Sequence, residues 1–544
     1  MSLTDRVRAA FTRIAEVGRP EVWITLRAEE DVLTEAKQLE QRLAEGESLP
    51  MAGLLVAVKD NIDVAGLPTT AACPSYAYTP ARSATAVRRL TDAGALMLGK
   101  TNLDQFATGL VGTRSPYGAV RHATRPDYIS GGSSSGSAVA VALGIADVAL
   151  GTDTAGSGRV PAALHGLVGL KPTVGLVPNT GVVPAARSYD CVTVFASTLS
   201  SAQRVMAVMI GPDAADPACR EWPASVRMAA GPNPVVAVPS AAGLVPLSPA
   251  ATAAFHASVR RLTEAGAVTR EIDISAMLAA ATLLYGGALV AERYAAVGAF
   301  LDSTSGDDHD PTVAGIIQAA RDLPAHRLVA DRQRLDQYRL AAAEALAGCD
   351  ALLLPTTVGH PRIAEVAADP VGVNSRMGTY TNFVNLLDLA AVAVPAGTAD
   401  GAEFGVTVIT RAFDDQVGID IAGLLLGERT TEPAVRPLPS TGLDLVVFGA
   451  HLRGQPLNGQ LTELGARFVD EVRTVPEYRM VALATEPPKP GVLRVGPRHG
   501  GAALVGERWT LSPAGLAQFL AGLPMPMSLG RVRLSDGTEV IGFH

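Results

Sequence analysis

Two glycine- and serine-rich blocks, separated by an apolar stretch, constrain the fold of this 544-residue chain more than any other feature. The first block reads Gly131-Gly-Ser-Ser-Ser-Gly-Ser137, and the second reads Gly151-Thr-Asp-Thr-Ala-Gly-Ser-Gly-Arg-Val-Pro161. Residues 138–146 between them are almost all apolar and predict a buried helix. A flexible Gly/Ser linker would lack such a stretch. The blocks therefore predict tight turns at the ends of buried elements.

Short apolar runs elsewhere predict buried strands, and the segments between them predict helices. Residues 54–58 and 95–98 are typical of buried strands, with a helix over 84–93. Later strands are predicted near 353–354 and 390–394. The first fifty residues predict helix, because apolar residues recur at helical spacing among charges. This mixture predicts an α/β layered fold.

A proline-rich break near 432–442 predicts a domain boundary. Beyond it, residues 443–544 alternate like strands and are numerous enough for a domain of their own. The sequence therefore predicts two domains, 1–435 and 443–544.

Composition excludes several classes of protein. Hydrophobic residues make up 48% of the chain and charged residues 18%, so disorder is not the main state. The net charge of −8 disfavours nucleic acid or an anionic membrane as a partner. No apolar run is long enough to cross a membrane, and the N-terminal residues lack a signal-peptide core. We therefore expect a cytoplasmic location.

No metal or cofactor is predicted from spacing. The four cysteines form no CxxC pair and no disulfide framework, and the nine histidines include no HExxH. His122 and His165 are expected to be structural. The match of Gly94–Thr101 to a phosphate-binding loop is attributed to a strand and turn, because its variable residues are Ala, Leu, Met and Leu. The G-x-S-x-G match around Ser134 lacks the preceding strand of a nucleophile elbow.

Lys59 follows the apolar run 54–58 directly. Burial lowers the pKa of a lysine, and a neutral amine is a usable base. Alone, a salt-bridged lysine would be the more common explanation. Ser157, however, is surrounded by glycines whose amides can approach a carbonyl, and a helix is predicted just after it at Pro161.

Lys59, the GGSS block and the G-x-D-x-x-G-S block occur in an order that resembles the amidase signature family. The two serines at 133 and 157 also have that family's spacing of 24 residues. The resemblance is strong over about 50–200 and looser to about 430. It implies a central mixed β-sheet covered by helices. It also implies Ser157 as nucleophile, Ser133 as a bridging serine preceded by a cis peptide bond, and Lys59 as base.

The same resemblance implies an oxyanion hole made by the backbone amides of Thr154, Ala155 and Gly156. Ala155 departs from the pattern, since many members have a second glycine at that position.

Other segments look like the allophanate hydrolases within this family, notably Lys100–Gly118 and Leu284–Tyr294. That resemblance implies that Tyr285 and Arg293 contact the substrate, with the arginine holding a carboxylate through paired hydrogen bonds. Without the family context, a surface salt bridge would be the more common role for Arg293. The Gly286-Gly287 pair predicts that the two side chains are not on one unbroken helix.

Residues 446–458 and 488–495 resemble the extra domain of allophanate hydrolases, a small α+β domain similar to γ-glutamyl cyclotransferase-like folds. The resemblance links that domain to decarboxylation of the first product, N-carboxycarbamate. His451 and His499 are candidate functional residues there, although a structural role is more common for such histidines.

The leading hypothesis is therefore an amidohydrolase that deaminates allophanate (urea-1-carboxylate) without a metal or cofactor. A broad-specificity amidase, or the amidase subunit of a glutamine-dependent amidotransferase, is the alternative. A catalytically silent scaffold is disfavoured, because all three triad residues are intact. The resemblance further implies a homodimer and a separate biotin-dependent urea carboxylase as a partner.

Overall fold

The computed structural model describes residues 2–428, 436–483, 489–495, 499–525 and 527–543. Two compact units are present, one made of residues 1–221 with 235–428 and the other of 222–234 with 429–544. Each contains its own sheet.

The first unit is built on an eleven-stranded mixed sheet with the order β1-β3-β2-β4-β6-β5-β10-β11-β9-β7-β8. Its strands are β1 Trp23–Leu26, β2 Leu55–Lys59, β3 Leu96–Thr101, β4 Val148–Asp153, β5 Val168–Lys171, β6 Cys191–Ala196, β7 Val235–Pro239, β8 Val268–Ile272, β9 Ala351–Pro355, β10 Leu389–Ala399 and β11 Ala402–Arg411. Strands β2, β3 and β4 are parallel neighbours, whereas β10 runs antiparallel to both β5 and β11. The predicted mixed sheet is confirmed.

Helices surround this sheet. They are α1 Leu3–Val17, α2 Glu29–Ala44, α3 Thr85–Asp92, α4 Ser135–Ala142, α5 Val160–Leu164, α6 Leu199–Met209, α7 Pro249–Glu264, α8 Ser275–Gly286, α9 Ala291–Ser303, α10 Pro311–Gln318, α11 Ala325–Ala345, α12 Ile363–Ala368, α13 Gly372–Met377, α14 Asn382–Leu386 and α15 Asp415–Leu426. The predicted buried helix corresponds to α4, whose residues are apolar or small and are buried from Ser135 to Val141. It packs against β2 and β4; the first glycine-rich block runs into its N-terminus, and the second begins within β4.

One early prediction was wrong. The first fifty residues are not helical throughout, because β1 lies between α1 and α2 and pairs antiparallel with β3. Its Trp-Ile-Thr-Leu sequence is rich in the aromatic and β-branched residues that favour strands. The phosphate-loop match, as expected, is a turn followed by β3, with Lys100 buried against Asp60.

The second unit has a five-stranded sheet with the order β13-β16-β12-β18-β17 and a separate hairpin of β14 and β15. Its elements are β12 Leu443–Val447, α16 Gly459–Thr462, β13 Arg467–Arg473, β14 Tyr478–Leu483, β15 Lys489–Arg494, β16 Val505–Leu511, α17 Pro513–Ala521, β17 Leu529–Arg533 and β18 Glu539–Phe543. This is the small α+β domain that the sequence predicted. Residues 432–435 of the predicted boundary and Pro488 of the second motif lie outside the described residues.

The segment 222–234 belongs to the second unit, although the sequence assigned it to the first domain. Backbone hydrogen bonds account for this placement. Met228 and Ala229 both donate to the carbonyl of Gly465, and Ala514 donates to that of Ala224. Trp222 of this segment is also buried, and the apolar surface that it removes from water contributes to stability.

Across the described ranges, no single helix is both long and apolar enough to span a membrane. The bent pair Ser275–Gly286 and Ala288–Ser303, with 48° between its helices, meets the length and composition criteria.

Candidate active site

Adjacent parallel strands bring the predicted catalytic residues to one edge of the sheet. Lys59 is the last residue of β2, and β4 ends at Asp153, four residues before Ser157. Because β2 and β4 are parallel neighbours, the segments that follow them emerge at the same edge. Ser133 precedes α4, the helix that packs on these strands, and a cis peptide bond joins it to Gly132.

The three side chains form a continuous hydrogen-bonded chain. The Lys59 amine lies 2.8 Å from the Ser133 hydroxyl, which in turn lies 2.9 Å from that of Ser157. Lys59 also donates to the Thr152 hydroxyl at 2.7 Å. All four residues are buried. Such a chain has the connectivity needed to pass a proton from the Ser157 hydroxyl through Ser133 to a neutral amine.

Burial is the main reason that Lys59 can serve as a base. Desolvation lowers the pKa of Lys59 from 10.5 to about 7, although the carboxylates of Asp104, Asp153 and Asp190 act in the opposite direction. The positive charge of Arg293 contributes to the lowering. A large share of the amine is therefore neutral at physiological pH.

A buried ion pair shapes the loop that carries Ser157. The Asp153 carboxylate accepts two hydrogen bonds from the Arg159 guanidinium, at 2.9 and 2.8 Å, and both side chains are fully buried. Burial alone would raise the pKa of Asp153, but Arg159 holds it below its usual value. Asn385 completes the network, because its amide donates to the Asp153 carbonyl and its oxygen accepts from Arg159. Paired in this way, the loop has a fixed conformation.

The sequence did not identify these three residues. Asp153 and Arg159 lie inside the second glycine-rich block, so an acid and an arginine six residues apart were a usable signal. Asn385 lies more than two hundred residues away on α14 and gave none.

The oxyanion-hole prediction needs one change. The Gly156 amide donates to Asp153 Oδ1 at 2.9 Å and is therefore engaged in this structure. Within the described part of the chain, the amides of Thr154 and Ala155 have no protein acceptor. The Thr154 hydroxyl donates to the buried Asp190 carboxylate at 2.5 Å, which orients that end of the loop. Burial raises the pKa of Asp190.

Tyr285 and Arg293 meet although they lie on different helices, α8 and α9, as the glycine pair predicted. The Arg293 guanidinium is 2.9 Å from the Tyr285 hydroxyl and 2.8 Å from the Thr108 hydroxyl. Only 2% of Arg293 is exposed, and among the described residues its Nε donor has no hydrogen-bond partner. A buried guanidinium with a free donor is suited to an anionic ligand.

A single loop connects Arg293 to the serine chain. The Asp104 amide donates to the Ser133 carbonyl at 3.1 Å, and Ala107 and Thr108 a few residues later accept from Arg293. The buried Asp104 carboxylate organises the loop by accepting amide hydrogen bonds from 111, 112 and 114. Burial raises the pKa of Asp104. The loop therefore helps to fix the position of Arg293 relative to Ser133 and Ser157.

The two C-terminal histidines have different surroundings. His451 is buried in the core of the second unit. Its ring stacks on Phe543, with the ring centroids 5.1 Å apart, and packs edge-on against Phe519. Its Nε2 lies 3.1 Å from the Gln460 side-chain oxygen. His499 is exposed, and its carbonyl accepts from Arg479.

Comparisons with known proteins show which family the chain resembles over almost all of its length. The family model described as Amidase matches residues 5–417, and the model described as Allophanate hydrolase C-terminal domain matches residues 443–544. Urea amidolyase of Saccharomyces cerevisiae is 42% identical over 548 residues, covering 96% of this chain. A urea amidolyase of Lachancea kluyveri is equally similar over 554 residues. The chain spans only 30% of the length of these two curated relatives.

Solved structures are similar as well. The Kluyveromyces lactis allophanate hydrolase has a TM-score of 0.88 and 38% identity, and the match covers 100% of this chain and 93% of that one. Among more distant relatives, a glutamyl-tRNA(Gln) amidotransferase subunit of Symbiobacterium thermophilum is 34% identical over 455 residues, covering 78% of this chain and 92% of that protein.

Proposed function

Because this chain belongs to the amidase family and is an amidohydrolase, we propose that it removes ammonia from allophanate. The observation that carries the proposal is the buried Arg293 guanidinium with its unpartnered Nε donor beside Tyr285. A neutral amide would leave this cation without a counter-charge, whereas the carboxylate of allophanate supplies one. The similarity to an allophanate hydrolase over the whole chain supports the same substrate.

In the proposed reaction, the neutral Lys59 amine takes a proton from Ser133, which takes one from Ser157. The Ser157 oxygen attacks the amide carbonyl, and the amides of Thr154 and Ala155 stabilise the resulting oxyanion. The C–N bond then breaks, and the proton returns through the relay to the leaving nitrogen as ammonia departs. Water attacks the ester by the same route and releases N-carboxycarbamate with Ser157 restored.

N-carboxycarbamate must then lose carbon dioxide to give carbamate, which yields a second ammonia and a second carbon dioxide. We propose that residues 443–544 assist this step, on the basis of their match to the C-terminal domain of allophanate hydrolases. His451, which is buried among aromatic rings, is one candidate residue for that chemistry. The exposed His499 stays a candidate.

The supply of substrate implies a partner. Allophanate is urea bearing a carboxylate, so an enzyme that carboxylates urea must act before this one. We propose a biotin-dependent urea carboxylase in that role. The similarity to urea amidolyases supports the pairing. A homodimer and a cytoplasmic location are also proposals.

A substrate panel tests the main proposal. Initial rates of ammonia release are measured on the whole chain with allophanate, propionamide and glutamine at equal concentrations. We expect kcat/KM for allophanate to exceed that for propionamide by about 100-fold or more, because only the anion pairs with Arg293. A preference for glutamine would instead favour the amidase subunit of an amidotransferase, and equal rates would favour a broad amidase.

Time-resolved counts of ammonia and carbon dioxide test the second step. If residues 443–544 act on N-carboxycarbamate, carbon dioxide appears faster with the chain than from the same intermediate in buffer. Equal rates would mean that the domain has no part in decarboxylation. The intact chain is required, because ending it near 440 would remove the partners of segment 222–234.

A further inference from the structure

A second group of ligand-type side chains lies outside the serine chain. Cys73, Asp308 and His309 each bring one donor atom to within 4.8 Å of the other two. The three residues supply a thiol, a carboxylate and an imidazole, which is the ligand set of zinc sites in proteins. Because Cys73 is 235 residues from Asp308, no spacing rule could reveal the group from the sequence.

The separation of the sulfur and carboxylate donors matches that around a tetrahedral zinc ion. Zinc binds sulfur at about 2.3 Å and carboxylate oxygen at about 2.0 Å, so tetrahedral geometry separates the two donors by about 3.5 Å. The Cys73 sulfur lies 3.6 Å from Asp308 Oδ2. The Ser75 hydroxyl is 3.4 Å from the same sulfur and borders the group. A water molecule can complete the coordination.

Neighbouring groups hold the ligands in place. The Ser75 amide donates to Asp308 Oδ2 at 2.8 Å, which orients the carboxylate. The buried Gln105 side chain donates to the Asp308 carbonyl at 2.7 Å and accepts from the Asp310 amide at 2.9 Å. It thereby fixes the backbone on both sides of His309. Ligand-orienting contacts of this kind accompany metal sites and strengthen their affinity.

The charge balance also favours a divalent cation. A thiolate, a carboxylate and a neutral imidazole carry two negative charges, which a divalent ion neutralises inside a partly buried site. A thiol binds such an ion as the thiolate, so the ion must displace a proton from Cys73. Affinity is therefore expected to rise with pH, and binding is expected to release a proton.

We propose that Cys73, Asp308 and His309 form a site for one thiol-preferring divalent cation of the zinc class. The bound ion would tie the loop 304–310 to the turn at 73–76. That loop follows α9, the helix that carries Arg293, so the site lies at the far end of the substrate-binding helix. This proposal does not depend on which amide the chain hydrolyses.

Cobalt titration of the metal-free whole chain tests the site. Cobalt(II) bound to a thiolate gives a charge-transfer absorption band, and we expect one equivalent per chain with displacement by zinc. Cys73→Ser should abolish the band, and His309→Gln should weaken binding about 10- to 100-fold. Cys219→Ser, which changes a half-buried cysteine outside the group, should retain it.

Thermal melting provides a second readout. Zinc should raise the melting temperature of the wild-type chain and of Cys219→Ser, but not that of Cys73→Ser. If Cys73→Ser does not fold, Asp308→Asn takes its place with the same expected loss of the zinc effect. A charge-transfer band that survives in Cys73→Ser, a band lost in Cys219→Ser, or no band at equimolar cobalt would each overturn the proposal.

Discussion

The pKa of Lys59 leads to the sharpest prediction about mechanism. Burial lowers this pKa from 10.5 to about 7, a difference of about 3.5 units that corresponds to about 5 kcal/mol between the charged and neutral forms. Only the neutral amine can accept the proton of Ser133. We therefore expect kcat/KM to fall about tenfold per pH unit below pH ~7 and to reach about 1% of its plateau at pH ~5.

The assay is the pH dependence of ammonia release, measured with both allophanate and propionamide. The acid limb should occur at the same pH with both amides, because it belongs to the free enzyme and not to the substrate. An activity that still rises tenfold per unit up to pH ~10 would refute the reasoning, since it would mean a solvated lysine.

Lys59→Met is the matched control for this prediction, because it keeps most of the side-chain volume without a titratable group. It should be inactive at every pH. The variant should also lose the part of the pH dependence of folding stability that comes from Lys59. The sign of that dependence follows from the lowered pKa. The unfolded chain binds the proton near pH 10.5 and the folded chain only near 7, so stability falls as the pH drops through that window. Unchanged pH dependence of melting in Lys59→Met would contradict this.

Three further predictions concern Arg293, Asn385 and His360. Arg293→Leu should lower kcat/KM for allophanate about 30- to several thousand-fold, which corresponds to about 2–5 kcal/mol, and should lower kcat/KM for propionamide far less. Equal losses with the two substrates would mean that the arginine has a structural role. Asn385→Leu should lower kcat about 10- to 100-fold with little change in KM. The substitution removes the hydrogen-bond partners of buried groups in the Ser157 loop, which costs about 1–3 kcal/mol. A wild-type kcat would exclude this positioning role. Burial lowers the pKa of His360 from 6.5 to about 4, so the unfolded chain gains the proton first and stability should fall by about 2 kcal/mol between pH 7 and 5. Urea melts of His360→Gln should show a smaller loss of folding stability between pH 7 and 5. An identical loss in the variant and the wild type would mean that His360 does not cause this pH dependence.

The parts of the site that could be predicted are those encoded by local sequence. Lys59 at the end of a short apolar strand and the two serines in glycine-rich blocks are local patterns, but their proposed roles came from the resemblance to the amidase signature family. The break between α8 and α9 followed from two adjacent glycines. For the strand, the helix and the helix break, a few neighbouring residues contain the physical cause, so periodicity and turn chemistry suffice.

The parts that were missed depend on contacts between distant residues. Asn385 pairs with Asp153 across 232 positions, and Cys73 meets Asp308 across 235. The segment 222–234 joins the second unit through backbone hydrogen bonds. Such bonds do not depend on the side chains, so the sequence gives no pattern from which to predict them. Strand β1 is short and lies between two strong helices, so local periodicity favoured the helices.

The central claim is that Ser157 carries out acyl transfer from allophanate. Its most direct test is the initial rate of ammonia release from allophanate by the whole chain and by Ser157→Ala, compared at neutral pH. The two proteins should have the same melting temperature within a few degrees, and the variant should lose activity by about 10³-fold or more. A folded Ser157→Ala variant that released ammonia at close to the wild-type rate would contradict the account.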